Sequence, residues 1–249
     1  LEIGKGYWLK FDSAGVNQIS GLRLDSLVIP VIAGWNLIGS ITEDIPVANV
    51  SSYPEGIISS QFFGFNVHYY FANNIEAGKG YWVKTSSSGT LTLRKLLAKG
   101  GQPNLYIETI DPKWRIIKIS DATGTSQELY LADQLDENKY FLPPTPPASM
   151  FDVRFESQRY AELDNYTQKI TLQGMKYPVT LVMKNSEKGF YKLKDGVDCS
   201  LLNVVLKDGQ AITISDPRIS TLILEGATVP TKFELMQNYP NPFNPTTTI

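Results

Sequence analysis

The chain has 249 residues, with 23 basic against 25 acidic side chains and a formal net charge of −2. A balance that even, with no block of one sign, leaves no electrostatic footprint for nucleic acid or an anionic membrane surface. One cysteine, Cys199, rules out an internal disulfide framework, and with the single histidine, His68, it leaves too few His and Cys ligands for a zinc site.

The hydrophobic share, 42%, is that of an ordinary globular protein, and no apolar run reaches the length of a membrane-spanning helix. Thirteen tyrosines against four methionines, with frequent Val, Ile and Thr, favour strands over helices. The expected fold is all-β.

From the N-terminus, Gly4-Lys5-Gly6-Tyr7-Trp8-Leu9-Lys10 recurs 74 residues on as Gly78-Lys79-Gly80-Tyr81-Trp82-Val83-Lys84, with six of seven positions identical. Glu2 matches Glu76 ahead of the motif, and Ser13-Ala14-Gly15 matches Ser87-Ser88-Gly89 after it. Gly-Lys-Gly permits a tight turn, and the Tyr-Trp-Val-Lys that follows alternates as a half-buried strand does. Residues 1–29 are therefore expected to be the C-terminal remnant of one β-repeat and residues 30–97 a complete one. Gly34-Trp35-Asn36-Leu37-Ile38-Gly39 reads as a second aromatic strand of that unit, with Trp35 and Trp82 as partners in its core. Between them, Phe62, Phe63, Phe65, Tyr69, Tyr70 and Phe71 crowd more rings into one stretch than a single strand face buries. Core packing is the plain reading. A polysaccharide surface using Tyr69 and Tyr70 is the alternative.

Residues 98–230 read as a β-sandwich of short alternating runs separated by turn signals. The runs are Leu105 to Ile110, Trp114 to Ile119, Glu128 to Leu131, Phe151 to Phe155, Lys169 to Leu172, Val179 to Met183, Phe190 to Leu193, Leu202 to Leu206, Ala211 to Ile214 and Ser220 to Leu224. Asp208-Gly209 is a hairpin signal, and Asp195-Gly196 marks a further turn. Gln127 to Asn138 reads equally well as a short helix. Leu142-Pro143-Pro144-Thr145-Pro146-Pro147 is expected to be a loop inside the sandwich rather than a linker.

No constellation for catalysis emerges. His68 has no serine in a nucleophile motif to serve, and Asp121-Ala122-Thr123-Gly124 lacks both the sequence and the second copy an aspartic protease needs. Gly100-Gly101 lacks the lysine and context of a phosphate loop. Asp133, Asp136, Glu137 and Asn138 offer oxygen ligands suited to calcium, but without EF-hand spacing, and a solvated acidic loop explains them. Cys199 is a small residue before an apolar strand. No catalytic residue, cofactor or metal ligand is assigned.

At the end of the chain, Phe233-Glu234-Leu235-Met236-Gln237-Asn238-Tyr239-Pro240-Asn241-Pro242-Phe243-Asn244-Pro245 places three prolines in six residues, which excludes a helix and favours extended geometry. This wording resembles the opening of the C-terminal sorting domain of type IX (Por) secretion cargo, where such a stretch begins a small Ig-like β-domain. The Gly-Trp-Asn-Leu-Ile-Gly and Gly-Lys-Gly-Tyr-Trp-Val strands resemble repeats found upstream of such domains. Ser120-Asp121-Ala122, Pro143-Pro144-Thr145-Pro146-Pro147 and Phe151-Asp152-Val153-Arg154-Phe155 resemble an Ig-like module of the same secreted proteins.

The resemblance implies that residues 231–249 start a truncated sorting domain, and that Asn238, Tyr239, Pro240, Asn241, Pro242, Phe243, Asn244 and Pro245 form its signature. It implies a chain cut at both ends, a secreted or outer-membrane surface location, and the type IX outer-membrane machinery as partner. The expected role is a non-catalytic spacer and adhesion region. The alternatives are a carbohydrate-binding module, or the non-catalytic C-terminal part of a secreted hydrolase whose catalytic domain precedes residue 1.

Overall fold

A computed structural model describes residues 2–9, 13, 15–16, 22–95, 106–164, 167–186, 190–227, 239–244 and 246–248. The complete repeat comprises β1 (Ser26–Val31), β2 (Gly34–Gly39), β3 (Ile45–Pro46), a 3-10 turn (Val47–Asn49), β4 (Ser51–Tyr53), β5 (Phe63–Asn66), β6 (His68–Phe71), β7 (Asn74–Ile75), β8 (Gly80–Thr85) and β9 (Gly89–Arg94). Its strands form one sheet in the order β1-β9-β4 and another in the order β2-β8-β5-β6, with β3 and β7 as a short separate pair. Residues Ser26 to Ile29 lie inside β1 and pair with β9, so the unit starts earlier than residue 30.

Strand alternation decides which side chains fill this unit. In β8, Tyr81, Val83 and Thr85 point inward and are buried, while Trp82 and Lys84 point to the opposite face. Ile38, Ile45, Ile75, Leu91 and Leu93 join Tyr81 and Val83 in the core. Trp35 and Trp82 are not in it. Both lie on the opposite face, in a layer continuous with the core of the next module.

That module comprises β10 (Arg115–Ser120), β11 (Ser126–Ala132), β12 (Asp152–Phe155), β13 (Ala161–Leu163), β14 (Gln168–Gln173), β15 (Val179–Lys184), β16 (Phe190–Asp195), β17 (Asn203–Leu206), β18 (Ala211–Ile214) and β19 (Thr221–Ala227). Two five-stranded sheets, β13-β11-β10-β15-β18 and β12-β14-β19-β16-β17, make a β-sandwich. Ile117, Leu129, Leu181 and Met183 of the first sheet and Phe155, Ile170, Leu222 and Leu224 of the second share one buried cluster. Each such side chain contributes about 1.5–3 kcal/mol by leaving water.

Three sequence expectations change here. Gln127 to Asn138 is not a helix: β11 runs through it to Ala132, because the alternation of Leu129 and Leu131 fits a sheet face. Residues 106–110 form no strand; Glu108 turns inward and is used as described below. Asp208-Gly209 does not close a hairpin, since β17 pairs with β16 in one sheet and β18 with β15 in the other. The turn carries the chain across the sandwich, held by Gly209 N–H on the Met183 carbonyl (2.8 Å) and by Asp208 Oδ1, which accepts from Ser186 N–H and Oγ–H. The hairpin lies one turn earlier, where β16 and β17 flank Asp195-Gly196.

At the C-terminus β20 (Tyr239–Asn244) and β21 (Thr246–Thr248) pair antiparallel with an irregularity between Tyr239 and Asn244. Asn238 and Pro245 of the tail signature, and Gly100-Gly101, lie outside the described residues. Among those described, no helix is long and apolar enough to cross a membrane.

Candidate functional site

The surplus aromatics of the repeat explain how the two modules meet. Phe63 and Phe65 of β5 and Tyr69 and Phe71 of β6 face each other in register, on the sheet face away from the repeat's own core. Their rings interlock edge to face, Phe63 with Trp35 at 5.8 Å and Phe65 with Tyr69 at 5.2 Å, a geometry that matches ring edge to ring face. The sandwich covers much of this layer. Phe71 meets Tyr160 at 5.5 Å, His68 meets Phe151 at 6.4 Å, and the Lys84 ammonium sits 3.7 Å over the Phe141 ring. Burial lowers the pKa of His68 and that of Lys84; for Lys84 the Glu108 carboxylate acts in the opposite sense.

The proline-rich loop is the landing platform. The Tyr69 hydroxyl donates to the Pro144 carbonyl at 2.7 Å, and Arg154 Nη1 donates to the Pro143 carbonyl at 2.7 Å. Arg154 in turn forks onto Asp152, Nε to Oδ2 at 2.5 Å and Nη2 to Oδ1 at 2.7 Å, with both side chains buried. Gln173 Nε2 donates to the carbonyls of Pro146 and Met150 and ties down the far end of the loop. The loop therefore belongs to the sandwich. Burial raises the Tyr69 pKa and outweighs the opposing Arg154 charge, with the Asp152 charge adding a smaller upward push, so the phenol remains a donor. A Tyr69→Phe substitution keeps the ring and orphans the Pro144 carbonyl; it is expected to cost about 1–2 kcal/mol in urea unfolding. Unchanged stability would show that the hydroxyl does not hold the modules together.

A second polar anchor is Glu108, which is 7% exposed. Its carboxylate accepts from the Tyr160 hydroxyl (2.6 Å), the Tyr140 N–H (2.9 Å) and the Tyr106 hydroxyl (3.2 Å). This role leaves no local signature, because a lone Glu in an alternating run reads as a solvent-facing position.

Beside the interlocked rings lies a groove of about 320 Å³, bounded by Tyr7, Trp8, Phe65, Tyr70, Lys79 and Trp82 among others. Trp8 packs its ring against Phe65 at 4.8 Å yet is 40% exposed. The buried Trp82 Nε1–H lies beside the Tyr69 hydroxyl without a well-formed hydrogen bond. Tyr69 and Tyr70, paired by sequence as a saccharide platform, are not brought together. Neighbours on a strand point to opposite faces, so Tyr69 is enclosed at the module interface while Tyr70 lies across Gly64 and lines the groove.

The other singled-out residues serve local structure. Asp121 caps the β10–β11 turn, accepting from Thr123 N–H and Oγ–H, Thr125 N–H and Lys176 N–H. Burial alone would raise its pKa, but these donors outweigh it and hold it below the ordinary value. In the acidic loop Asp133 pairs with Arg115 and Asp136 with Lys139 and Asn138, so their carboxylates diverge. Among the described residues no three His, Cys, Asp or Glu side chains converge for a metal. Cys199 Sγ lies 3.6 Å from the Asp195 carbonyl, in a loop organised by the Asp195 side chain. No protein family, curated protein or solved structure matches this chain.

Proposed function

We propose that this chain is a non-catalytic spacer and adhesion region of a secreted or surface-attached bacterial protein, ending in a type IX sorting signature. The tail wording from Phe233 to Pro245 supports the destination, with the type IX outer-membrane machinery as partner. The observation that carries the spacer role is the sealed junction between modules. Tyr69 and Arg154 grip consecutive carbonyls of one proline-rich loop from opposite sides of the interface, which fixes the repeat against the sandwich.

The test joins residues 231 onward, through the natural end of the reading frame, to a reporter in a bacterium with this pathway. The reporter is expected at the cell surface or in the medium, and in the periplasm when the translocon is deleted. Periplasmic retention in the competent strain removes the reading.

A saccharide-binding reading is favoured by one feature, the half-open groove with Trp8 on its rim. Stacking on sugar rings needs such an exposed aromatic face. Binding to an insoluble polysaccharide that is lost in Trp8→Ala would support it, and no binding across a broad glycan panel would remove it.

A further inference from the structure

The N-terminal segment reproduces the turn of the complete repeat contact for contact. The Glu2 N–H donates to the Tyr7 hydroxyl at 2.9 Å, as Glu76 does to Tyr81 at 3.0 Å. Lys5 Nζ meets Glu2 at 2.6 Å, as Lys79 meets Glu76 at 2.5 Å. Gly4 and Gly78 take φ of 83° and 77°. One turn has been built twice from one sequence.

The first copy of that turn docks on the second unit. Gly6 N–H donates to the Leu37 carbonyl (3.0 Å) and Gly39 N–H to the Gly4 carbonyl (2.8 Å), along the edge of β2 opposite β8. A Cβ on Gly6 would stand 2.7 Å from Leu37 Cγ, and one on Gly39 would stand 2.9 Å from the Lys5 carbonyl oxygen. Glycine at both positions is what lets the backbones approach so closely.

Burial is where the two copies part. Tyr81 and Val83 are fully buried, whereas their counterparts Tyr7 and Leu9 are 44% and 62% exposed. In the complete unit Tyr81 stands opposite Ile38 of β2. Peptide groups alternate in direction along an extended chain, so with Gly6 bonded to β2, that of Tyr7 faces the other edge, while the Lys5 N–H is used within the turn on the Glu2 carbonyl. Among the described residues that edge is open, and it is apolar and continuous with the ladder already formed.

We infer that the open edge at Tyr7, Trp8 and Leu9 is the seat of a strand of the Gly34–Gly39 kind from a further copy of this repeat unit. Units then join in series, each Gly-Lys-Gly turn docking on the next unit's β2. The occupant follows from the chain's own second copy, in which the same motif has such a strand beside it. The inference stands independently of the sorting reading and competes with the saccharide reading, which needs Trp8 exposed.

The experiment places residues 26–75 directly ahead of Glu2 in the full chain, because Glu2 is the counterpart of Glu76. Trp8 is expected to lose its accessibility to acrylamide, with Trp8→Phe versions of both chains isolating its emission. The Tyr7 amide is expected to exchange at least about 100-fold more slowly with solvent. An added segment that gains strand signal in circular dichroism while Trp8 and the Tyr7 amide stay as they were overturns the inference. If the added segment gains no strand signal, a peptide of residues 30–41 titrated into the unaltered chain decides. Amide shifts centred on Tyr7 to Leu9 support the seat; shifts elsewhere, or none, overturn it.

Discussion

Arg154→Ala is expected to be among the most damaging single substitutions in this protein, costing about 3–5 kcal/mol. The Arg154 side chain is 2% exposed and Asp152 5% exposed, so truncation leaves a buried carboxylate without its fork. It also strips the Pro143 carbonyl of its donor and loosens the loop on which Tyr69 lands. Urea unfolding measures the loss, and the double variant Asp152→Leu with Arg154→Met is expected to recover most of it, since a well-packed apolar pair avoids the desolvation of two charges. A loss below about 1 kcal/mol would mean that the fork does not hold the platform.

The second large effect is expected at Asp195. Its fully buried carboxylate accepts from five backbone N–H groups: Val197, Asp198 and Cys199 on Oδ1, Leu201 and Leu202 on Oδ2. Burial by itself would raise the pKa, but these donors outweigh it and bring it from 3.8 down to about 2. A carboxyl whose folded pKa lies below its unfolded one stabilises the fold above the unfolded value. That contribution is therefore whole above about pH 4 and fades as the pH falls through about 2. Asp195→Ala is expected to speed amide exchange across Val197 to Leu202 by one to two orders of magnitude, roughly the loss of local opening energy. Asp195→Asn should flatten the acid limb of stability between about pH 4 and 2. An acid limb unchanged in Asp195→Asn would place the origin of acid sensitivity elsewhere.

Much of the architecture was legible because strand physics is local. Glu128 to Leu131 alternates as β11 does, and Val179 to Met183 as β15 does, since one sheet face is apolar and the other is not. The 74-residue echo coincides with one turn geometry at two places, Glu2 to Tyr7 and Glu76 to Tyr81. What local reading missed were choices made by tertiary context. Asp208-Gly209 has hairpin chemistry, yet its flanking strands belong to different sheets, and no short-range signal separates a hairpin from an arch across a sandwich. Glu108 could not be picked out because its three partners come from positions 106, 140 and 160. The rings from Phe62 to Phe71 exceed what one strand face buries, and the structure resolves the surplus by giving the sheet two buried faces. Of the two tyrosines proposed for a saccharide, only Tyr70 lines the groove; Tyr69, on the opposite face, is enclosed against the Pro144 carbonyl.

The Tyr69–Pro144 junction has a mechanical consequence. Force applied along the chain must cross from repeat to sandwich, and here it is shared between the covalent connection and an interlocked layer of rings and a hydrogen-bonded loop. Opening either module strips the aromatic face of the other, so the two should yield together as one cooperative body rather than in sequence. Two modules joined this way keep their span under load until they fail as a whole.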